Sequence, residues 1–207
     1  MHVSTLRCDQ CAVRNRAVCA ALAPEERREL ARLGHRRLLK RGETLFAAGD
    51  RNTLSATLTT GVLKLSSFDP DGTEHIVSLI HPAGFAGELF QPVAHHHVIA
   101  VTDCDLCVFP RREYEAALDR FPALGRAMLR RSAAALVDSR ALLAAVTRRS
   151  ARRRLAAFLV ALGRAANDVD CHPAERFDLV LSRAEIASLL GMTIETVSRQ
   201  LSRFEQE

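Results

Sequence analysis

The 207-residue sequence has no Trp, a single Tyr and no apolar run approaching the ~18 residues that cross a bilayer, which excludes a membrane-spanning helix. Met1 to Leu6 lacks the apolar core of a signal peptide, so the cytoplasm is the expected compartment. Three catalytic signatures are missing as well: a Gly-rich phosphate-cradling loop, a nucleophile elbow and a His-Glu-x-x-His helix. Neither enzyme chemistry nor an iron-sulfur electron carrier is therefore expected. The charged fraction, 26% against 48% apolar residues, is that of a folded chain, and the length allows one or two domains.

What is present is unevenly placed. Residues 1–110 carry 12 basic and 12 acidic groups, and residues 111–207 carry 17 and 12, so the whole net charge of +5 belongs to the second half. A neutral half followed by a basic one suggests a nucleic-acid-facing module at the C-terminal end. The six cysteines, in a reducing compartment, read as thiols or metal ligands rather than as three disulfides.

Pro24-Glu25-Glu26 opens a helical pattern that closes at Gly34. From Leu38 to Pro110, short apolar or β-branched runs (44–46, 54–58, 62–68, 75–80 and 98–109) alternate with glycines. That pattern predicts an antiparallel β-roll. After Pro110 the sequence is helical almost continuously to Val146. Leu129, Leu136 and Leu143 recur every seven residues, with Ser132, Ser139 and Val146 between them, as in a coiled-coil seam. With two serines among the intervening positions, the seam is expected to pair a dimer weakly. Arg148, Arg149 and Arg152 to Arg154 then lead into a helix with Leu155, Phe158, Leu159 and Leu162 on one face, and 167–173 reads as a loop.

The most specific local signal runs from Leu181 to Phe204. Ser182 and Glu185 form a capping box, Ile186, Leu189 and Leu190 supply an apolar face, and Gly191 ends the helix. Thr193 caps a second helix whose Val197, Leu201 and Phe204 face inward, leaving Glu195, Ser198, Arg199 and Gln200 outward. Two short helices across a Gly turn predict a helix-turn-helix whose second helix enters the major groove. There Arg pairs with guanine, Glu accepts from cytosine, and Ser donates or accepts.

Cys8-x2-Cys11-x7-Cys19 brings three thiols into a short segment, and Cys104 and Cys107 fall on the last strand of the roll. Four sulfurs suit an iron-sulfur cluster or zinc, so a fourth ligand must come from far along the chain. Positions 104 and 107 differ by an odd number, so on a strand they face opposite sides and only one can serve.

Taken together, the order of parts resembles the FNR branch of the cyclic-AMP receptor protein/FNR superfamily of bacterial transcription regulators, over essentially the whole chain. The resemblance rests on the cysteine-rich start and on the 40–50 stretch KRGETLFAAGD. It rests also on Cys107 followed by Phe109-Pro110, on Arg154-Leu155-Ala156-Ala157-Phe158, and on Leu190 to Arg199, LGMTIETVSR. It implies an α+β fold. The expected parts are a cysteine-rich cluster-binding segment (1–20), a β-roll sensor domain (21–110), a dimerisation helix (111–147) and a C-terminal helix-turn-helix DNA-binding domain (148–207).

The resemblance further implies an oxygen-labile [4Fe-4S] cluster on Cys8, Cys11, Cys19 and Cys107, with zinc or a thiol switch on the same cysteines as the alternative. Cys104 and Cys171 match no ligand position. Glu195, Ser198 and Arg199 match base-reading positions for a palindromic site in double-stranded DNA with half-sites resembling TTGAT. The implied partners are a second copy in a homodimer and RNA polymerase, and no membrane. The sequence ends soon after the second helix, where the family continues into a β-wing, so a truncated domain that binds DNA poorly is expected. A cyclic nucleotide is not expected, because Gly87-Glu88 is followed to Val101 by His95, His96 and His97 and by no Arg, Ser or Thr for the phosphate. The three histidines themselves read as a loop tip.

Overall fold

Eight strands form, six of them where the alternating runs lie: β1 (His35–Leu39), β2 (Thr44–Phe46), β3 (Leu54–Thr60), β4 (Leu63–Phe68), β5 (Glu74–Ile80), β6 (Phe85–Ala86), β7 (His97–Ala100) and β8 (Cys104–Pro110), with β1 and β6 outside them. This computed structural model describes residues 6–147, 150–166 and 176–206. The expected loop over 167–173, with Cys171, and the basic pair Arg148 and Arg149 lie outside the described residues. The strands make two four-stranded antiparallel sheets, β1-β8-β3-β6 and β2-β7-β4-β5, as the roll reading predicts. Leu39, Leu58, Leu63, Val98, Leu106 and Val108 fill the space between them.

The run 98–109 is two strands rather than one. The chain turns at Val101 to Asp103, where Val62 N donates to Thr102 Oγ1 (3.0 Å). Gly61 (φ +91°) closes β3 onto β4 at the same place, and a Cβ there would stand 2.5 Å from Asp103 O. Only glycine accepts both constraints. β1 was not evident in the sequence because its His-Arg-Arg start lacks β-branched residues. β6 is too short to show a period.

Helix α1 (Pro24–Leu33) begins at a proline and ends at Gly34, as the signals predict. The single dimerisation helix expected over 111–147 is instead divided into α2 (Arg111–Arg120) and α3 (Pro122–Val146). The cause is local: a residue preceding proline is driven off helical geometry, and Phe121 has φ −115° and ψ 90°. Phe121 then turns inward beside Tyr114, Leu124 and Met128.

The remaining helices are α4 (Ala151–Ala166), α5 (Arg183–Leu190) and α6 (Ile194–Glu205). Leu155 and Phe158 are buried on α4. The Ser182–Glu185 capping box forms in both directions, Glu185 N donating to Ser182 Oγ (3.2 Å) and Ser182 N to Glu185 Oε2 (2.8 Å). Gly191 takes the left-handed conformation (φ +60°) that ends α5, and Thr193 Oγ1 accepts from Thr196 N (3.2 Å) to start α6. The chain divides into two compact units, Met1–Ser67 with Val77–Ala134, and Phe68–Ile76 with Ala135–Glu207. In the second, Ser188 Oγ donates to Glu74 O (2.7 Å) and accepts from Ile76 N (3.0 Å).

Candidate cysteine centre and nucleic-acid interface

Strand alternation decides which way each cysteine of β8 points. Cys104, Leu106 and Val108 turn into the roll, and Cys104 Sγ donates to Val62 O and Thr102 O (3.3 Å each). Cys107 turns the other way, toward the cluster built by Val18, Leu22, Leu30, Phe109 and Tyr114. Across the ladder it stands opposite Arg36 on β1 and Thr57 on β3.

The N-terminal segment is laid over this face by its own apolar residues. Val13 and Ala17 pack on Ala83, while Val18 and Leu22 join Leu30 of α1 and Leu124 and Met128 of α3. A short turn at Cys8–Gln10 and another at Val18–Ala21 carry the first and third cysteines. Arg27 of α1 fastens the second turn: its Nε donates to Cys19 O (3.1 Å), and its Nη2 donates to Ala20 O (3.3 Å) and Leu22 O (3.0 Å). As a result, Cys8, Cys11, Cys19 and Cys107 line one cavity together with Arg27, Thr57 and Tyr114. All four are thiols, half-buried. The thiols share the cavity without standing in coordination geometry: among the described residues no group of three or more His, Cys, Asp or Glu is set to hold a metal ion. The donor set nonetheless fits a soft metal centre that takes four sulfurs.

Burial opposes ionisation here, and the neighbouring sulfurs add to it. Burial and then Cys11 push the Cys8 thiol up from its ordinary value. Burial, Cys11 and Cys8 raise Cys19 to about 11, and burial followed by Cys11, Cys8 and Cys19 raises Cys107 to about 12. Arg27 pulls Cys8 and Cys19 the other way without reversing the sign. Protonated thiols are poor nucleophiles, so at neutral pH Cys8, Cys19 and Cys107 are inert until a cation takes the place of their protons.

A pH dependence follows. Groups whose folded pKa lies above the unfolded value stabilise the fold fully below the unfolded value, about 9 for a thiol, and that contribution is lost as pH rises through the folded one. The metal-free protein is therefore expected to lose thermal stability between pH 9 and 12, with a shallower fall in Cys19→Ala. Melting temperatures across that range check it, and identical slopes for the two proteins would contradict it.

In the second unit, α6 presents Glu195 and Arg199 exposed and Ser198 half-buried, at the one-face spacing of i, i+3 and i+4. The Glu195 carboxyl is held below its ordinary range by its own backbone N–H and the Thr193 hydroxyl. Arg199 Nη2 donates to Thr196 Oγ1 (3.4 Å), which leaves the rest of its fork toward solvent. Gln200, expected outward, is instead 7% exposed. It shares the inward stripe of Val197, Leu201 and Phe204, being three residues beyond Val197. Arg154 of α4 braces the turn by donating to Leu190 O (3.2 Å) and Gly191 O (3.1 Å).

The seam residues of α3 are open: Leu129 is 72%, Leu136 51% and Leu143 65% exposed, and Ser132 and Ser139 are exposed too. Val146 is half-buried, its Cγ1 3.6 Å from where a Cβ on Gly191 would stand, so the last seam position is partly used within its own unit. Glu88, which precedes the stretch without Arg, Ser or Thr, is engaged by histidines. Its carboxylate accepts from His95 N (3.0 Å) and meets His95 Nδ1 and His96 Nδ1. Burial alone would raise Glu88, but these contacts outweigh it and the net shift is downward. His95 and His96 lie in the loop, and His97 begins β7.

Sequence reasoning missed Arg27 and Tyr114, and it gave Arg154 no bracing role. Arg27 carries no local signature, and Arg154 stands out only within the basic stretch and the 154–158 motif. Tyr114 did have one, as the chain's single phenol seven residues past Cys107.

Comparison with known proteins places this geometry. A Crp-like helix-turn-helix domain matches residues 153–207, and a cyclic nucleotide-binding domain matches residues 36–121. The chain is 32% identical over 204 residues to the transcriptional activator protein FnrL of Cereibacter sphaeroides, covering 97% of this chain and 82% of that one. It is also 32% identical over 206 residues to the nitrogen fixation regulation protein FixK of Bradyrhizobium diazoefficiens, covering 96% and 84%. In fold it is similar to FixK2 from Bradyrhizobium japonicum, with a TM-score of 0.74 at 22% identity over 84% of this chain and 85% of that one. Among the described residues no helix is long and apolar enough to cross a membrane. With a roll, a long helix and a helix-turn-helix in this order, and relatives of this identity along nearly its whole length, the chain belongs to the CRP/FNR family of DNA-binding transcription regulators.

Proposed function

We propose that this protein is a cytoplasmic transcription activator that senses oxygen through a [4Fe-4S] cluster on Cys8, Cys11, Cys19 and Cys107. On this reading it dimerises through α3 and reads a palindromic DNA site with half-sites resembling TTGAT, in contact with RNA polymerase. The observation that carries the reading is the convergence of three thiols from the N-terminal segment and one from β8 on a single cavity. A cluster bound there supplies an oxygen-labile tie between that segment and the roll.

The chain's own residues do the rest. Cys8, Cys11, Cys19 and Cys107 release their protons on binding, since only thiolates ligate. Val18 and Leu22 lie against Leu124 and Met128, so the position of the segment bears on the first turns of α3, next to Leu129. A weak seam makes the monomer–dimer balance sensitive to a small packing change of this kind. In the dimer, Glu195, Ser198 and Arg199 of each copy address successive major grooves. The raised thiol pKa values speak against a bare thiol switch, which needs a reactive thiolate.

The test is anaerobic purification with iron and sulfide analysis, followed by visible spectra, sedimentation and binding to a TTGAT-type duplex before and after air. The expected result is about four irons and four sulfides per chain, brown colour that bleaches in air, and loss of dimer and of DNA binding together. Colourless protein with stoichiometric zinc would select the zinc alternative. Metal-free protein would overturn the sensor reading.

A further inference from the structure

Tyr114 of α2 is 1% exposed, and its hydroxyl has no hydrogen-bond partner among the described residues. Buried hydroxyls are almost always paired, because leaving one unmade carries its full desolvation cost. The ring cannot simply turn the group elsewhere. It is wedged between Phe85 and Phe109, with ring centroids 5.4 and 5.2 Å away. Tyr114 lines the same cavity as the four cysteines. Cys19 and Cys107 both pack against the apolar cluster that contains Tyr114, and of the two it is Cys19 whose charge would bear on the phenol. A neutral thiol is a poor acceptor, whereas a metal-bound thiolate is a good one.

Resting on the cysteine centre proposed above, we infer that Tyr114 is a positioning residue that donates its O–H to the Cys19 sulfur once that sulfur is ligated to metal. The hydroxyl is then unsatisfied only in the metal-free protein. Hydrogen bonds to ligand sulfurs withdraw electron density from the centre and slow its loss. Arg27 contributes by fixing the Cys19 backbone, so that the turn carrying the sulfur is held in place.

This assignment gives Tyr114→Phe opposite consequences in the two forms. In the metal-free protein the substitution removes an unpaired buried group and keeps the ring packing, so the melting temperature stays the same or rises. In the loaded protein it removes a charge-assisted bond, and bleaching in air is expected to accelerate roughly tenfold. Both are measured on the full chain, the second as the decay of visible absorbance after anaerobic loading. If wild-type protein takes up zinc and no cluster, the sensor reading fails while Tyr114 is still tested, by the rate at which a chelator strips zinc from the two proteins. Equal rates of metal loss, or a metal-free Tyr114→Phe protein clearly less stable than wild type, would overturn the role given to Tyr114.

Discussion

Cys107→Ser is expected to abolish the visible absorbance of the anaerobically loaded protein, while Cys104→Ser leaves it intact. The two residues sit three apart on one strand, and alternation along β8 sends them to opposite faces. Cys104 lies in the roll core with Leu58 and Leu106, where its Sγ already donates to Val62 O and Thr102 O. A serine hydroxyl can donate to the same carbonyls, so that substitution costs about 1 kcal/mol of stability and changes nothing at the cavity. Cys107 faces the segment that carries Cys8, Cys11 and Cys19. Its replacement by Ser leaves an alcohol that does not ionise near neutrality. Even outer-shell partners of a metal are worth about 10- to 100-fold in affinity, and a ligand is worth more. Iron content and the spectrum of the two variants decide the matter; cluster loss from Cys104→Ser with retention in Cys107→Ser would reverse the assignment.

The legible parts of this molecule are those governed by local rules. The capping box at Ser182, the stop at Gly191 and the cap at Thr193 are short-range chemistry, and they fix α5 and α6 within a residue. The same holds for α1, with proline at its start and glycine after its end. The opposite facing of Cys104 and Cys107 needed only the period of a strand. Long-range packing stayed hidden. Gln200 reads as a groove-facing polar residue until the inward stripe of α6 is seen to pass through it, and Phe121 reads as helical although Pro122 forbids it. Arg27 looks like an ordinary helix residue, and Tyr114 stands out only as the chain's single phenol. Their roles appear only when the N-terminal segment is folded over the outer face of β8, which no local pattern announces.

The double substitution Ser132→Leu, Ser139→Leu is expected to make the protein dimeric in air, with no cluster. Both serines are exposed on α3 between leucines that are themselves more than half exposed, so the apolar stripe is interrupted where a paired helix would need it continuous. Ser139 also bends its hydroxyl back to Ala135 O (2.9 Å), an arrangement that slightly weakens a helix and that leucine lacks. In a two-fold dimer the change adds four leucines to the interface, each worth about 1.5–3 kcal/mol when fully buried. Ordering costs reduce that sum, but roughly 3 kcal/mol of net gain already tightens association more than a hundredfold. Sedimentation of the air-exposed protein measures it. Ala134→Leu, which adds a leucine at an exposed position outside the seam, serves as the control and is expected to leave association unchanged. An unchanged association constant for the double variant would remove α3 from the interface. A tightened one that also restores duplex binding in air would show that the cysteine centre governs DNA reading through the strength of this seam, because Glu195, Ser198 and Arg199 are untouched by the change.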